Sequence, residues 1–426
     1  MSENATHAPG TARGADIDAY LDAHRDELLA LVAELVAIDS RIPPHADERA
    51  IVAFLRERMA ALGLGRGEIV AGAPERPNLV ARMSGSGGGR TLMLNGHVDT
   101  KPIGDARAQW RSDPLSPDVR EGRLYGLGSA DMKAAVAAMV FAAAALRATG
   151  ELAGDLVLAF VADEEAGATL GSRFLAPRLS GIDAALIGEP SGWERDWQGL
   201  HLVSRGLCCF RVHVHGTQMH SSLSDRMPSV NATRSMARLL VDIEDELELV
   251  HEPHPLGGIT PTLNVGVLVE GGVFFGVVPG RAQFACDLRT LPGMSEAEVH
   301  AAIDRWLDAR RAADPELQVE VTYEPGLDWI PPAEIAADHP LVTATRAAAR
   351  HVLGASPPLS VFPGTCDAPW FAAAGIPTIP SFGPGLLTCC HGPNENVELE
   401  RVHEAARMYA HTAAGFCGVP SSTIRE

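Results

Sequence analysis

The chain has 426 residues, which exceeds the usual size of one hydrophobic core, so two domains are expected. Its formal net charge of −19 at pH 7 argues against a nucleic-acid-binding or membrane-surface protein, because both of these partners are anionic. An anionic small-molecule substrate is not excluded, since a metal ion or a few arginines can reverse the potential at a site.

The first 15 residues hold neither the basic region nor the apolar core of a signal peptide, so we do not expect one there. We expect these residues to form a short disordered tail. The alanine-rich stretch 134–150 is too short for a membrane span and fits a buried helix. The seven cysteines are odd in number and show no C-x-x-C spacing, which indicates reduced thiols and a cytoplasmic protein.

Helices and short apolar strands alternate along residues 16–205. Helical periodicity covers 17–38 and 47–63. Strands are then predicted at 78–83, 90–100, 155–162 and 184–190, with a helix at 131–148. Such alternation favours an α/β domain with a mostly parallel sheet flanked by helices.

The pattern changes over residues 206–325. Half-exposed strands and amphipathic helices follow in the order β-α-β-β-α-β, which predicts a small, open-faced α+β domain of the ferredoxin-like kind. The earlier alternation resumes over 326–426. We therefore expect one α/β domain, formed by 16–205 and 326–426, that is interrupted by an inserted domain.

Acidic residues and histidines follow the strands of the α/β domain. They are His97, Asp99, Asp131, Glu164, Glu165, Glu189 and His391. Because the carboxyl ends of parallel strands share one edge of a sheet, these side chains are expected to converge there. Five carboxylates would repel one another without cations, and two divalent ions fit the mixed nitrogen and oxygen donors.

Glu164 and Glu165 are expected to have different roles. Successive residues of a strand point in opposite directions, so one glutamate can bind a metal ion while the other faces the substrate as a base.

Five segments, "GHVDT", "GLGSADMK", "DEEAG", "IGEP" and "HGPNE", resemble in order and spacing the co-catalytic metallo-amidohydrolase and peptidase family. Its members include acetylornithine deacetylase, succinyl-diaminopimelate desuccinylase, aminoacylase and carboxypeptidase G. The resemblance continues through "GTQMHSS", "PSVNA", "PTLNVG" and "DLRT" of the inserted segment. It implies a zinc-peptidase-like catalytic domain with an inserted lid or dimerisation domain.

The resemblance implies a role for each residue of the metal centre. His97 and Glu189 match the ligands of one metal ion, Glu165 and His391 match those of the other, and Asp131 matches the carboxylate that bridges both. Asp99 matches the aspartate that orients His97, and Glu164 matches the general base. The implied cofactors are two divalent ions per chain, with Zn²⁺ expected first and Co²⁺ or Mn²⁺ as alternatives.

Four further residues resemble substrate-handling positions of the family. His220 in "MHSS" matches a histidine that reaches a neighbouring active site across a homodimer and stabilises the oxyanion, although its action within its own chain stays open. Arg289 in "DLRT" and Gly364 with Thr365 in "PGTCDA" match positions that bind the substrate carboxylate.

Two positions depart from the family pattern. Gly276 stands where the family commonly has Asn in "GGxxxNxVP", and Ser229 stands where a Gly is usual. Because Gly276 cannot supply a side-chain amide, the substrate contact is expected to differ. Neither acetylornithine nor succinyl-diaminopimelate can therefore be assumed as the substrate.

The resemblance implies metal-dependent hydrolysis of the amide bond of an N-acylated amino acid or small amine. A metallo-dipeptidase, a glutamate-type carboxypeptidase and, more remotely, a deaminase are alternatives on the same scaffold. A non-catalytic scaffold homologue is a further alternative, but it would be expected to lack a ligand position, and none is missing.

Overall fold

The computed structural model of the protein describes residues 9–420, with side chains from residue 13 onwards. Of the predicted tail, residues 1–15, the first eight residues lie outside the described range. Residues 9–15 belong to a helix instead, because Ile17 and Leu21, one turn apart, bury their side chains and hold it to the core.

Two units make up the described chain. Unit 1 consists of the residues up to Ser204, of Glu334–Phe362 and of the residues from Cys366 onwards; unit 2 consists of Arg205–Ala333 and Pro363–Thr365.

The long segment of unit 2 ends at Ala333, whereas the predicted domain boundary lies at residue 325. Leu207 exchanges two backbone hydrogen bonds with Ile330, of 2.8 and 2.9 Å, and Cys209 donates one of 2.8 Å to Leu327. These bonds keep the chain on unit 2 up to Ala333, and no apolar pattern in the sequence marks them.

Up to Ser204, the described part of unit 1 contains five α-helices and nine strands. The helices are α1 (Pro9–Ala23), α2 (Arg25–Val36), α3 (Arg49–Ala61), α4 (Ala134–Thr149) and α5 (Ser172–Leu175). The strands are β1 (Glu68–Ala71), β2 (Pro77–Met83), β3 (Leu92–His97), β4 (Asp118–Arg120), β5 (Arg123–Tyr125), β6 (Leu156–Val161), β7 (Ala184–Ile187), β8 (Pro190–Gly192) and β9 (Leu200–Ser204).

Unit 2 contains an antiparallel sheet and two long helices. Its elements are β10 (Gly206–His215), β11 (Met219–His220), α6 (Ala232–Glu246), β12 (Thr262–Gly271), β13 (Val277–Val278), β14 (Arg281–Thr290), α7 (Glu296–Ala313) and β15 (Gln318–Tyr323). Four strands pair in the order β12-β14-β10-β15. Along β10, Phe210, Val212 and Val214 are buried and alternate with more exposed polar residues, so one face packs on the helices.

The chain then completes unit 1. The remaining elements are β16 (Ala333–Glu334), α8 (Pro340–Leu353), β17 (Leu359–Phe362), α9 (Ala368–Ala373), β18 (Thr378–Ile379), β19 (Gly383–Leu386), β20 (Asn396–Glu398) and α10 (Leu399–Cys417). Helix α8 begins with Pro340 and ends at Gly354, whose φ of 79° lets the chain leave the helix.

The main sheet of unit 1 has the strand order β1-β2-β6-β3-β7-β18. Strands β6, β3, β7 and β18 are parallel, whereas β2 is antiparallel to β6 and β1 is antiparallel to β2. The sheet is therefore mixed, with four parallel strands and an antiparallel pair at one edge.

Helix α4 forms the core of unit 1. All residues from Ala134 to Leu146 are buried, and the alanines permit close contact with α1, α2 and α10. Among the described residues, Ser129–Thr149 alone is long and apolar enough to cross a membrane, but its apolar window is 100% buried in the protein. This segment therefore belongs to the core of unit 1.

Candidate metal centre

The register of the parallel strands brings three chain segments to one edge of the main sheet. His97, the last residue of β3, pairs with Val161, the last residue of β6. Asn95 pairs with Ile187, the last residue of β7. Because the three strands end almost level, the residues that follow β6 and β7 lie beside His97.

The first trio of candidate ligands is formed by His97, Asp131 and Glu189, all buried. Nε2 of His97 lies 2.9 Å from Oδ1 of Asp131 and 3.7 Å from Oε1 of Glu189. Asp131 lies in an irregular turn, Ser129–Lys133, before α4, and its peptide bond to Met132 is cis. One imidazole nitrogen and two carboxylates thus converge on one point.

The second trio is formed by Asp131, Glu165 and His391. Nε2 of His391 lies 3.2 Å from Oδ2 of Asp131 and 3.2 Å from Oε1 of Glu165. Asp131 therefore offers one carboxylate oxygen to each histidine, an arrangement that suits a carboxylate shared by two cations.

Asp99 joins His97 to the turn that carries the two glutamates. Its carboxylate accepts hydrogen bonds from the backbone N–H of Glu165 (3.0 Å) and Glu164 (3.3 Å), and Nδ1 of His97 donates to its backbone carbonyl at 3.1 Å. Oδ1 of Asp99 lies 3.6 Å from the same nitrogen. Complete burial raises the pKa of Asp99 to about 7.

Glu164 and Glu165 do not lie on a strand, so the prediction that strand alternation separates them is wrong. Strand β6 ends at Val161, Asp163 has a φ of 65°, and Glu164–Ala166 form a short 3₁₀ helix. The turn, not a strand pleat, gives the two glutamates different environments, since Glu165 is buried whereas Glu164 is half-buried.

Glu164 lies in a strongly acidic environment. Burial, together with the nearby carboxylates of Asp367 and Glu165, raises the pKa of Glu164 well above its usual value. Asp367 is 1% exposed, and its Oδ1 has no hydrogen-bond partner among the residues that the structure describes. Burial raises the pKa of Asp367 to about 7.

The donor set fits two divalent cations. Burial and the charge of Asp131 raise the pKa of Glu189 well above its usual value, so protons compete strongly for this site. Burial acts to lower the pKa of His391, but Glu165 and Asp131 raise it to about 11. With all its carboxylates ionised, the site would hold more negative charge than Lys101 and two imidazoles neutralise, and two divalent ions bound by nitrogen and oxygen donors would supply the rest.

Three residues near the ligands escaped the sequence analysis. Glu395 accepts backbone hydrogen bonds from Gly128 (2.9 Å), Ala130 (2.9 Å) and Asp131 (3.1 Å), so it fixes the turn that presents Asp131. Lys101 contacts Glu165, and Asp367 lies near Glu164. Glu395 ends the segment "HGPNE" and Lys101 follows "GHVDT" directly, so proximity to a motif was the available signal.

The other predicted site residues lie in unit 2. His220 is exposed, and its Nδ1 accepts from the backbone N–H of Ser222 at 3.2 Å. Nε and Nη2 of Arg289 both donate to the carboxylate of Asp287, at 2.7 and 2.9 Å, and Nη1 donates to Oγ1 of Thr365 at 3.1 Å. Arg289 and Thr365 are thus in contact, but Asp287 already occupies one edge of the guanidinium.

Residues around Gly364 and Gly276 are held through the backbone. The carbonyl of Gly364 accepts from the N–H of Arg205 at 3.0 Å, and the carbonyl of Gly276 accepts from Ser221 at 2.9 Å. Gly276 has a φ of 82°, so this position forms a tight turn beside His220 that favours glycine.

The fold and the two trios define a metallohydrolase. Residues 93–415 match the model of Peptidase family M20/M25/M40, and the chain belongs to this family. The family resemblance inferred from the five motifs is thereby confirmed, and with it the assignment of the protein as an amidohydrolase or peptidase.

Two of the matching relatives illustrate how much of the chain is covered. A succinyl-diaminopimelate desuccinylase of Alkalilimnicola ehrlichii is 31% identical over 390 residues, which are 90% of this chain and 97% of the relative. An N-formyl-4-amino-5-aminomethyl-2-methylpyrimidine deformylase of Halalkalibacterium halodurans is 28% identical over 405 residues, 89% of this chain and 92% of the relative. Among solved structures, human carnosine dipeptidase 1 matches with a TM-score of 0.75 and 20% identity over 95% of this chain and 98% of its own.

Proposed function

We propose that the protein is a metal-dependent amidohydrolase that removes an acyl group from the nitrogen of an amino acid or a small amine. The observation that carries this proposal is the pair of trios that share Asp131, with Glu164 beside them. The two sequence relatives are named for removal of a succinyl group and of a formyl group. Their common chemistry is cleavage of a bond between an acyl carbon and an amine nitrogen.

A deacylase is favoured over a dipeptidase or a glutamate-type carboxypeptidase. The relatives named as deacylases match over most of their length at 28–31% identity, whereas the dipeptidase match, at 20% identity, supports the fold alone. A non-catalytic homologue is disfavoured, because every implied ligand position carries a ligating side chain.

The proposed metal ligands are His97, Asp131 and Glu189 for one ion and Asp131, Glu165 and His391 for the other. A zinc ion suits these nitrogen and oxygen donors, and Co²⁺ or Mn²⁺ can occupy the same set. Two such ions would polarise the amide carbonyl and lower the pKa of the attacking water. Asp99 positions His97 through Nδ1 and the glutamate turn through two backbone N–H groups.

Glu164 is proposed as the proton carrier. It takes one proton from the attacking water as the oxygen bonds to the acyl carbon. When the bond from this carbon to nitrogen breaks, Glu164 passes the proton to the nitrogen, so the products are a carboxylic acid and an amine. Asp367, buried near Glu164, favours the protonated form that this relay passes through.

Unit 2 is proposed to serve as a lid and as the interface of a homodimer. The outer strand β12 exposes Val267, Leu268 and Val269 by 47, 51 and 54%, and Val241 of α6 is 61% exposed. An exposed apolar strand edge of this kind is a ready surface for pairing with a second copy.

His220 is proposed to donate a hydrogen bond to the oxyanion, a role that is worth about 3–4 kcal/mol in comparable sites. Arg289, Gly364 and Thr365 are proposed to bind a substrate carboxylate, and the contact between Arg289 and Thr365 supports a common role. A cytoplasmic location is proposed as well, because none of the seven cysteines, all within the described residues, forms a disulfide.

A substrate panel tests the proposed function. The protein, reconstituted with Zn²⁺, Co²⁺ or Mn²⁺, is assayed against N-formyl, N-acetyl and N-succinyl derivatives of amino acids and small amines, with dipeptides of the same residues as the comparison. Glu164→Gln protein, purified identically, controls for contaminating hydrolases. The proposal predicts that an N-acyl compound has the highest kcat/KM. Faster hydrolysis of dipeptides than of every N-acyl compound would overturn it.

A further inference from the structure

A second cluster of potential ligands lies away from the metal centre, where three helices of unit 1 meet. Asp18 is on α1, His351 is on α8, and His411 is on α10. Nε2 of His351 lies 2.7 Å from Oδ2 of Asp18, and Nε2 of His411 lies 2.9 Å from Oδ1. One ligand atom of each residue lies within 4.8 Å of the other two.

The cluster repeats the local arrangement found at Asp131. In both places one carboxylate lies between two histidines, and each of its oxygens faces one Nε2 atom. A carboxylate and two imidazoles suit a divalent transition metal, and the side chain of His351 is 48% exposed, so water has access to the cluster.

Arg407 supports the carboxylate of the cluster. Its Nε donates to Oδ1 of Asp18 at 2.9 Å, in the manner of groups that orient a ligating carboxylate. Its positive charge also opposes a bound cation. The cluster is consequently expected to bind a metal ion more weakly than the acidic centre at Asp131.

We propose that Asp18, His351 and His411 form a structural site for a divalent transition-metal ion of the zinc class. The ion would tie helix α1 to α8 and α10 within unit 1. This proposal is independent of the proposed amidohydrolase function.

Hydrogen bonds from two neutral imidazoles to Asp18 would give the same distances, and the test must separate the two cases. In His351→Gln and His411→Gln, the glutamine amide can still donate to Asp18, but it is a poor zinc ligand. His251→Gln, at an exposed histidine of unit 2, is the matched control.

The experiment counts Zn²⁺ per chain by elemental analysis after equilibrium dialysis over a range of free Zn²⁺ concentrations. Wild-type protein and His251→Gln should bind one equivalent more than His351→Gln or His411→Gln. The additional equivalent should raise the Tm of the wild-type protein. Equal Zn²⁺ content in all four proteins would overturn the proposal. Loss of the extra equivalent in His251→Gln as well would also overturn it, since binding would then not depend on this cluster.

Discussion

The ammonium group of Lys101 lies 3.1 Å from Oε2 of Glu165 and also donates a hydrogen bond to the backbone carbonyl of Glu165. The other carboxylate oxygen of Glu165 faces His391 at 3.2 Å. Burial acts to raise the pKa of Glu165, but Lys101 and His391 lower it below its usual value. A metal ion in the second trio would therefore share Glu165 with a fixed positive charge.

Replacement of Lys101 should strengthen binding of the second metal ion. Lys101→Met removes the charge but keeps much of the side chain, so the affinity of the second trio for Zn²⁺ should rise on the order of tenfold, as expected for one lost repulsion in a partly solvated site. Isothermal titration calorimetry with Zn²⁺ measures this affinity. Lys101→Arg, which keeps the charge, should resemble the wild type. An unchanged affinity in Lys101→Met would mean that Lys101 does not oppose the ion.

Alanine variants should separate the two neighbouring glutamates. Glu164→Ala should keep both metal ions and lose at least about 100-fold in kcat, because the proton carrier is gone. Glu165→Ala should lose affinity for the second ion, because one ligand of the second trio is gone. Metal content by elemental analysis, compared with kcat, checks this division. Equal loss of metal in both variants would contradict it.

The buried His201 should make folding stability depend on pH. Burial lowers the pKa of its imidazole to about 4, from about 6.5 for a solvated histidine. At pH values between these two pKa values, His201 binds a proton in the unfolded chain but not in the folded chain. This histidine therefore costs stability as the pH falls from about 6.5 to about 4, by on the order of 3 kcal/mol in total.

His201→Leu should remove this dependence. Urea unfolding at pH 7 and at pH 4.5 gives the loss of unfolding free energy for each protein, and the loss should be smaller in the variant. Other groups titrate in both proteins and cancel in the comparison. Identical losses in the two proteins would show that His201 does not carry the effect.

Mixed dimers should show whether His220 acts across subunits. His220→Ala and Glu164→Ala are each expected to be nearly inactive. If His220 serves the partner's site, a mixed dimer contains one site with both intact residues, and about one working site per mixed dimer should return. Assays after verified subunit exchange measure this recovery. Its absence would mean that His220 acts within its own chain or has no catalytic role.

The convergence of the candidate ligands could be predicted because these residues follow strand ends, and strand ends are visible as breaks in apolar runs. His97 and Glu189 each come within two residues of the end of a buried strand. The environments of Glu164 and Glu165 could not be derived in this way. They depend on the positive φ of Asp163, which an apolar pattern does not encode.

Long-range contacts were also beyond the sequence analysis. Glu395 lies 264 residues from Asp131 in the sequence, and its carboxylate accepts a hydrogen bond from the backbone N–H of Asp131. Composition and periodicity cannot predict a contact of this kind, because every residue except proline carries a backbone N–H. The boundary at Ala333 likewise depends on backbone hydrogen bonds between Leu207 and Ile330. The pattern of apolar residues predicted the elements, whereas these contacts arise only when distant elements meet.

Two metal ions bound around Asp131 are proposed to make the protein an amide hydrolase. The most direct measurement is activity as a function of metal added to chelated protein, with the best N-acyl substrate of the panel and the His351→Gln variant, in which the additional cluster should bind no ion. Activity should be absent without metal and should reach its maximum at about two equivalents of Zn²⁺ or Co²⁺. Full activity of the metal-free protein would contradict the account.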